Sequence, residues 1–272
     1  MTVLTNVTKE QLTLLTKLGF SVEPNKTIHE KLRLKKANTT IILYISGKLL
    51  IQGKNATEAA KLLRKLKIGI ESKPEQFKPE TGWVIGSDEV LKGDTFGGIV
   101  VAAVKADSSG REKLNQLGIA DSKTLTDKEI LPMAEKIKQI VACEIKSLLP
   151  EEYNSKEGNV TDLLNKLHQQ AAQELQPGKH IVDKYPGCVV GDIAVEKAES
   201  KYIEVAAASV LARAAGLQQL DYLGLQAGFT IPKGSTHVSL ALHELQARKL
   251  DFKKFVKMDF RNVIKFLEDE GR

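Results

Sequence analysis

The stretch Trp83-Val84-Ile85-Gly86-Ser87-Asp88-Glu89-Val90 sets two adjacent carboxylates inside an otherwise apolar run. Such a run reads as a buried strand, and a carboxylate in a buried strand needs a cation, a metal ion or a proton beside it. Strand alternation sends Asp88 and Glu89 to opposite faces unless a bulge redirects one of them. The plain alternative is that the pair marks the polar end of the strand.

Working outward, strand and helix patterns alternate. Strands are expected at 84–90, 99–106 and 143–149, with a loop through Asp121 and a helix from Asp127 towards Val141. A helix over about 161–175, a short strand 180–183, a strand near 189–194 and a long alanine-rich helix over about 201–223 follow. That order predicts an α/β sheet flanked by helices. Two further acidic strand ends stand out: His180-Ile181-Val182-Asp183, and Val195-Glu196-Lys197-Ala198-Glu199 just before the alanine-rich helix. Neighbouring strand ends are where α/β sheets bind ligands, and four carboxylates gathered there repel unless divalent cations sit between them. Mg²⁺ or Mn²⁺, two ions per site, would polarise a phosphodiester and activate water against it. Glu196 rivals Glu199 for the last position, and Glu199 also reads as an acid favoured by a helix N-terminus.

The first 80 residues have a different character. They hold 15 Lys+Arg against 7 Asp+Glu, whereas the remainder holds 25 against 27, so the net charge of +6 comes wholly from the N-terminal part. Thr8-Lys9-Glu10-Gln11 has capping-box spacing, and Leu12, Leu15 and Leu18 continue a helix that Gly19 ends. Strands follow in 31–36, 39–45 and 48–52, and Asn55 with Glu58 opens a second amphipathic helix. Two helices covering one sheet face leave the other open, with Asn38, Tyr44, Lys48 and Gln52 as candidates to meet a polyanion. The stretch Glu71 to Glu80, with two prolines and mixed charge, reads as a linker. The expected organisation is therefore a basic unit 1–70, a linker 71–80 and a larger unit 81–272.

Composition narrows the setting. Of 272 residues, 42% are hydrophobic and 8 are proline, which argues for folded domains rather than disorder. No apolar run is long enough to span a bilayer, and the N-terminus lacks a signal-peptide core, so a cytoplasmic protein with no membrane partner is expected. Cys143 and Cys188 have no metal-ligand spacing and suggest no disulfide framework. The cationic tail residues Lys253, Lys254, Lys257 and Arg261, like Lys233-Gly234-Ser235, read mostly as solvated surface.

Four motifs in order carry a resemblance: Gly86-Ser87-Asp88-Glu89-Val90; Phe96-Gly97-Gly98-Ile99-Val100-Val101-Ala102-Ala103; Gly118-Ile119-Ala120-Asp121-Ser122-Lys123-Thr124-Leu125; and Lys197-Ala198-Glu199-Ser200 with Val205 to Arg213. Together they resemble the ribonuclease HII/HIII family. The basic N-terminal segment, containing Gly47 to Lys54, looks like the TATA-binding-protein-like domain of the HIII type, as does Glu at position 199. The resemblance implies a ribonuclease H-like mixed sheet flanked by helices, plus a small N-terminal α+β domain of that kind. It also implies a monomer that cuts the RNA strand of RNA/DNA hybrids with Mg²⁺ or Mn²⁺, leaving 5′-phosphate and 3′-hydroxyl ends.

Carried over by motif, Asp88, Glu89, Asp183 and Glu199 are the catalytic, metal-binding acids. Asp88 would bridge both ions, Glu89 and Asp183 would hold one each, and Glu199 would serve the nucleophile side. Lys92, Gly93, Ser122, Lys123, Ser209 and Arg213 match substrate-contacting positions. The departure is Leu91, which stands where the family usually has glycine; a branched side chain there is expected to hinder close backbone approach to a ribose 2′-hydroxyl. Type-HII-like incision at single ribonucleotides, and a hybrid-binding protein without catalysis, remain the alternatives.

Overall fold

The computed structural model describes residues 2–5, 7–68, 70–71, 77–119, 125–234 and 236–270. The chain divides into two compact units, Met1–Glu75 and Gln76–Arg272.

The first unit runs β1 (Thr2–Thr5), α1 (Lys9–Lys17), β2 (Ser21–Glu23), β3 (Glu30–Lys36), β4 (Thr39–Tyr44), β5 (Leu49–Gly53), α2 (Ala56–Lys65) and β6 (Ile70–Glu71). The capping box closes as the spacing predicts, with Gln11 N–H donating to Thr8 Oγ1 at 3.4 Å and Thr8 N–H to Gln11 Oε1 at 2.9 Å. Its sheet has six strands, in the order β2-β3-β4-β5-β1-β6, rather than the three expected. The additional strands have two to four residues each, too few for an alternating pattern to register. Leu12 and Leu15 of α1 and Ala59, Ala60 and Leu63 of α2 share a core with Leu32, Leu34, Ile41, Leu43, Leu49 and Ile51.

The second unit holds β7 (Val84–Val90), β8 (Ile99–Ala106), α3 (Ser108–Gln116), α4 (Asp127–Ile140), β9 (Ala142–Leu148), α5 (Pro150–Asn154), α6 (Val160–Glu174), β10 (Lys179–Asp183), β11 (Ile193–Val195), α7 (Ile203–Ala227), α8 (Val238–Ala247) and α9 (Arg261–Glu270). The sheet order is β11-β10-β7-β8-β9; β7 is antiparallel to β8 and parallel to β10. Helix α3 replaces part of the expected loop. It is mostly polar, buries only Gly110 and Leu114, and starts where the Asp107 side chain accepts from Gly110 N–H at 2.8 Å. Of the stretch 71–80 expected as linker, Glu71 ends β6 and pairs with Leu4 of β1, while Lys78 N–H donates to Lys201 O at 2.7 Å.

Strand β7 lies in the middle of this sheet and is covered on both faces. Ile85, with Ile99, Val101 and Ala103 of β8, packs on Leu164, Leu167 and Ala171 of α6. On the other face Val84 shares a cluster with Val205, and the even-numbered Val100, Ala102 and Val104 pack on the alanine-rich side of α7. The closest approach is at Gly86, where an added Cβ would lie 2.7 Å from Glu204 Cβ and closer still to the Val205 backbone nitrogen. The main chain of α7 thus rests against the central strand because residue 86 has no side chain. Gly86→Ala is expected to lower stability by about 3 kcal/mol through overpacking, read as a fall in the urea midpoint; an unchanged midpoint would mean that α7 can slide.

Candidate active site

The two acids of β7 follow strict alternation. The β7–β8 register passes without a shift through Asp88↔Ala102 and Glu89↔Val101, so no bulge turns either side chain. Asp88 faces α7, where it takes a hydrogen bond from Ser209; Glu89 faces α6, where His168 Nε2 lies 3.4 Å from its Oε2. Both reach one cleft because they stand at the end of the strand, where the two faces meet. Asp183, the last residue of the neighbouring parallel strand β10, and Glu199, in a 3-10 turn Ala198–Ser200 before α7, complete its acidic lining. The cleft has a volume of about 450 Å³ and is also lined by Val90, Leu91, Lys92, Gly93 and Ser209.

Burial dominates the electrostatics. It pushes Asp88 up to about 7, and the neighbouring Glu89 charge adds to the rise. Burial also raises Asp183, against a hydrogen bond of 2.8 Å from Ala198 N–H. Burial works in the same direction on Glu89, but the facing His168 and the hydrogen bond from Lys92 outweigh it and hold this carboxyl below its ordinary range. Lys92 Nζ lies 2.6 Å from Glu89 Oε1 and 5.2 Å from the centre of the Tyr185 ring.

Among the described residues no group of three or more His, Cys, Asp or Glu side chains already stands in metal-holding geometry. The four acids line one cleft without closing on a common point, as like charges do. The donor set nevertheless fits a hard divalent cation. It consists of carboxylate oxygens, and the desolvation and repulsion that disfavour the Asp88 charge are what a cation relieves.

Behind Glu89 lies a buried chain of polar groups that the sequence did not reveal. Ser87 Oγ is 2.8 Å from His168 Nδ1 and 2.8 Å from His180 Nε2. His180 is neutral, its pKa pulled down to about 4 by burial and then by His168. The hydrogen assignment that gives each atom a role runs from His180 Nε2–H to Ser87 Oγ and from Ser87 O–H to His168 Nδ1, leaving His168 Nε2–H facing Glu89. Ser87 and Glu89 share a strand face two residues apart, which puts both over the same helix. A lone histidine among Leu164, Leu167 and Ala171 carries no motif, so only the odd-numbered positions of β7 pointed towards it.

The remaining expected contacts are scattered. Ser122 and Lys123 lie outside the described residues. Ser209 lines the cleft, but Arg213, one turn further on, donates to Asp127 Oδ1 at 2.6 Å and to Leu125 O at 3.0 Å. Its guanidinium ties α7 to the start of α4 through one nitrogen, and it shares Asp127 with Lys233. Leu91 also differs from expectation. It adopts the left-handed backbone a glycine would take, with φ of +66°, and its side chain turns into the core against Gly97 and Gly216. The branched side chain therefore points away from the cleft. In the first unit, strand register puts Tyr44, Lys48 and Gln52 on the face opposite the helices, and Asn38 sits at its margin in the β3–β4 turn. On that face Arg33 is taken up by Glu30, at 2.7 Å.

A five-stranded mixed sheet with acids gathered at the end of its central strand is the framework of a metal-dependent nuclease of the ribonuclease H type. A family model described as Ribonuclease HII matches residues 85–263, and the chain belongs to the ribonuclease HII/HIII family. A second model, described as a domain of unknown function (DUF3378), matches residues 2–75. Ribonuclease HIII of Streptococcus pneumoniae (strain Taiwan19F-14) is 32% identical over 270 residues, covering 90% of each chain. Among solved structures, Bst-RNase HIII in complex with Mn²⁺ is 27% identical with a TM-score of 0.63, covering 98% of each chain. Aquifex aeolicus RNase H3 is 27% identical with a TM-score of 0.56, covering 95% of this chain and all of its own. The chain is accordingly a metal-dependent endoribonuclease whose cofactor is Mg²⁺ or Mn²⁺.

The polar chain behind Glu89 can be tested directly. Ser87→Ala leaves two buried imidazole nitrogens without their partner and is expected to destabilise the protein by about 2 kcal/mol, with the far-ultraviolet spectrum unchanged. Urea unfolding of the two proteins measures this; equal midpoints would show that the histidines find other partners.

Proposed function

We propose that Asp88, Glu89, Asp183 and Glu199 are the metal-binding, catalytic carboxylates of a ribonuclease H acting on RNA/DNA hybrids. The cut falls within the RNA strand and leaves 5′-phosphate and 3′-hydroxyl ends. The observation that carries this reading is the convergence of four acids, from three separate segments of chain, on one cleft. Bound there, a pair of Mg²⁺ or Mn²⁺ ions supplies Lewis-acid polarisation of the phosphodiester and activation of the attacking water.

The side chains divide the remaining work. Asp88, fixed from the α7 side by Ser209, would be the ligand shared by the two ions. Glu89 is oriented from the α6 side by His168, and Asp183 by the amide of Ala198. Glu199, on its own short turn, serves the nucleophile side. Lys92 neutralises Glu89 in the free protein and lines the cleft, within reach of a substrate phosphate. Gly93 presents backbone at the mouth of the cleft, where a ribose 2′-hydroxyl is read without a side chain intervening. Ser122 and Lys123 belong to the same substrate set by motif.

The N-terminal unit is, in this reading, a TATA-binding-protein-like substrate-binding domain. Tyr44, Lys48 and Gln52 share its helix-free face, and the +8 charge of residues 1–80 supplies sequence-independent attraction to phosphate. The enzyme works as a cytoplasmic monomer. Among the described residues no helix is long and apolar enough to cross a membrane.

Labelled RNA/DNA, RNA/RNA and DNA/DNA duplexes, and a DNA duplex carrying a single ribonucleotide, test the reading with and without Mg²⁺ and Mn²⁺. Cleavage is expected only of the hybrid and only with metal. Efficient cutting at the lone ribonucleotide would move the activity towards the HII type. Asp88→Asn should abolish turnover by at least a thousandfold while hybrid binding persists; residual turnover of more than a few per cent would remove Asp88 from the metal site. Lys48→Ala should weaken hybrid binding and flatten the slope of log affinity against log salt by about 1, measured by fluorescence anisotropy at several salt concentrations. An identical slope would make Lys48 ordinary surface.

A further inference from the structure

Under the loop that carries Lys92 and Gly93 lies a buried cation. Lys257, read from the sequence as part of a solvated basic tail, is fully enclosed between the Phe252–Lys254 turn and α9. Its ammonium donates to three backbone carbonyls of one loop: Leu91 O at 2.8 Å, Asp94 O at 2.5 Å and Gly97 O at 3.0 Å. The rings of Tyr153 and Phe260 lie 5.4 and 5.1 Å from the ammonium. Burial pulls its pKa down to about 7, against the nearby carboxylates of Asp94 and Asp259. The same C-terminal segment holds the loop at further points, with Lys257 N–H donating to Thr95 O at 3.0 Å and Asn262 Nδ2 to Thr95 Oγ1 at 2.7 Å.

An enclosed ammonium is expensive, and a methionine would fill the same space without desolvating a charge. What a methionine would not do is satisfy three inward-pointing carbonyls. Between Leu91 and Gly97 the chain doubles back, so peptide oxygens point to the core, while Lys92 and Gly93 face the cleft. At Leu91 the turn also requires a left-handed backbone, with φ of +66°, that disfavours a side chain. The Leu91 carbonyl also accepts from Asp94 N–H at 3.1 Å, which closes the turn locally; the ammonium is what ties that turn to the Asp94 and Gly97 carbonyls and to the core beneath the loop.

We propose that Lys257 is a positioning residue for hybrid recognition: its ammonium gathers the Leu91, Asp94 and Gly97 carbonyls, fixes the left-handed turn at Leu91, and so holds Lys92 and Gly93 at the mouth of the carboxylate cleft. Lys257 does not line that cleft and takes no part in the chemistry. The inference rests on the reading of the cleft as the site that cuts RNA/DNA hybrid. It also accounts for Leu at position 91: a carbonyl clamp supplies from below the conformation that glycine would have adopted unaided.

The test uses the full-length protein and its Lys257→Met and Lys257→Gln variants; the first has no donors, the second two donors on a shorter stem. Steady-state cleavage of a hybrid with saturating Mg²⁺ gives KM and kcat. Hydrogen–deuterium exchange of residues 91–98, measured without metal or substrate, reports the loop itself. For Lys257→Met a KM raised at least tenfold is expected, with kcat within threefold of wild type and exchange at 91–98 accelerated while β7 and α7 stay protected. Lys257→Gln should show the same pattern to a smaller degree, and it carries the test by itself should the methionine variant not fold. Adding Leu91→Gly to either variant should recover part of the lost KM, since glycine takes the left-handed turn without strain; a lysine that only fills space predicts no such recovery. A folded variant with wild-type KM and wild-type exchange at 91–98 would overturn the proposal, as would a loss confined to kcat. Failure of the wild-type protein to cut hybrid would instead defeat the reading of the cleft.

Discussion

Repulsion among buried carboxylates is the constraint around which the second unit is organised. Asp88 and Glu89 stand at the end of the central strand, with Asp183 at the end of its parallel neighbour. None can be moved to water without shortening β7 or β10, and those strands carry the core. The protein instead offsets each charge separately. Ser209 and the Glu89 amide bond Asp88, His168 and Lys92 hold Glu89, and the amide of Ala198 holds Asp183. These partners differ in kind, and so do the resulting affinities for a proton: Asp88 is pushed up to about 7 while Glu89 is held low. The residual strain of the set is greatest at Asp88, the acid whose charge cations would stabilise most.

The two acids share one cleft although alternation separates them, because they stand at the end of β7, and each is supported there by the helix packed on its own face. Helix α7 comes close through Gly86 and delivers Ser209 to Asp88; helix α6 packs on Ile85 and delivers His168 to Glu89. Each helix thus has a packing role along the strand and a polar role at its end. This coupling makes the fold and the site hard to separate by mutation: a side chain at position 86 would move the helix that carries Ser209.

What could be read from the sequence followed the strength of the local pattern. Strands β7 and β8 are long apolar runs, α4 carries apolar residues at helical spacing and α7 is a continuous alanine-rich stretch, and these elements emerged within a few residues of their observed ends. The cluster of acids was legible because charges in apolar runs are expensive, and therefore conspicuous. Strands β1, β2 and β6 were not, since two to four residues do not establish a period, and α3 is too polar for its face to show; β11, expected near 189–194, is shorter and lies later, at Ile193–Val195. The side chains that escaped notice all act through long-range contacts. His168 meets Ser87 across 81 positions, and Lys257 meets Leu91 across 166. Arg213 shows the converse: its spacing from Ser209 suggested a phosphate contact, but that spacing could not show that it also pairs with Asp127, 86 positions away, which Lys233 shares.

Leu91 shows how a departure from a family pattern is to be weighed. A glycine in a substrate loop performs two physical tasks: it permits a positive φ, and it keeps the surface clear of side chain. The second task is met here by direction alone, because the leucine side chain enters the core beside Gly97 and Gly216. Gly97, itself at φ of +77°, and Gly216 within α7 supply the space that the leucine fills, so the missing side chains have been transferred to neighbouring positions rather than lost. The first task, the strained backbone, has no such remedy in packing and needs a partner for the peptide that is turned. Two donors meet at the Leu91 carbonyl: Asp94 N–H closes the turn from within the loop, and the Lys257 ammonium ties that turn to the Asp94 and Gly97 carbonyls from a segment 166 positions further along the chain.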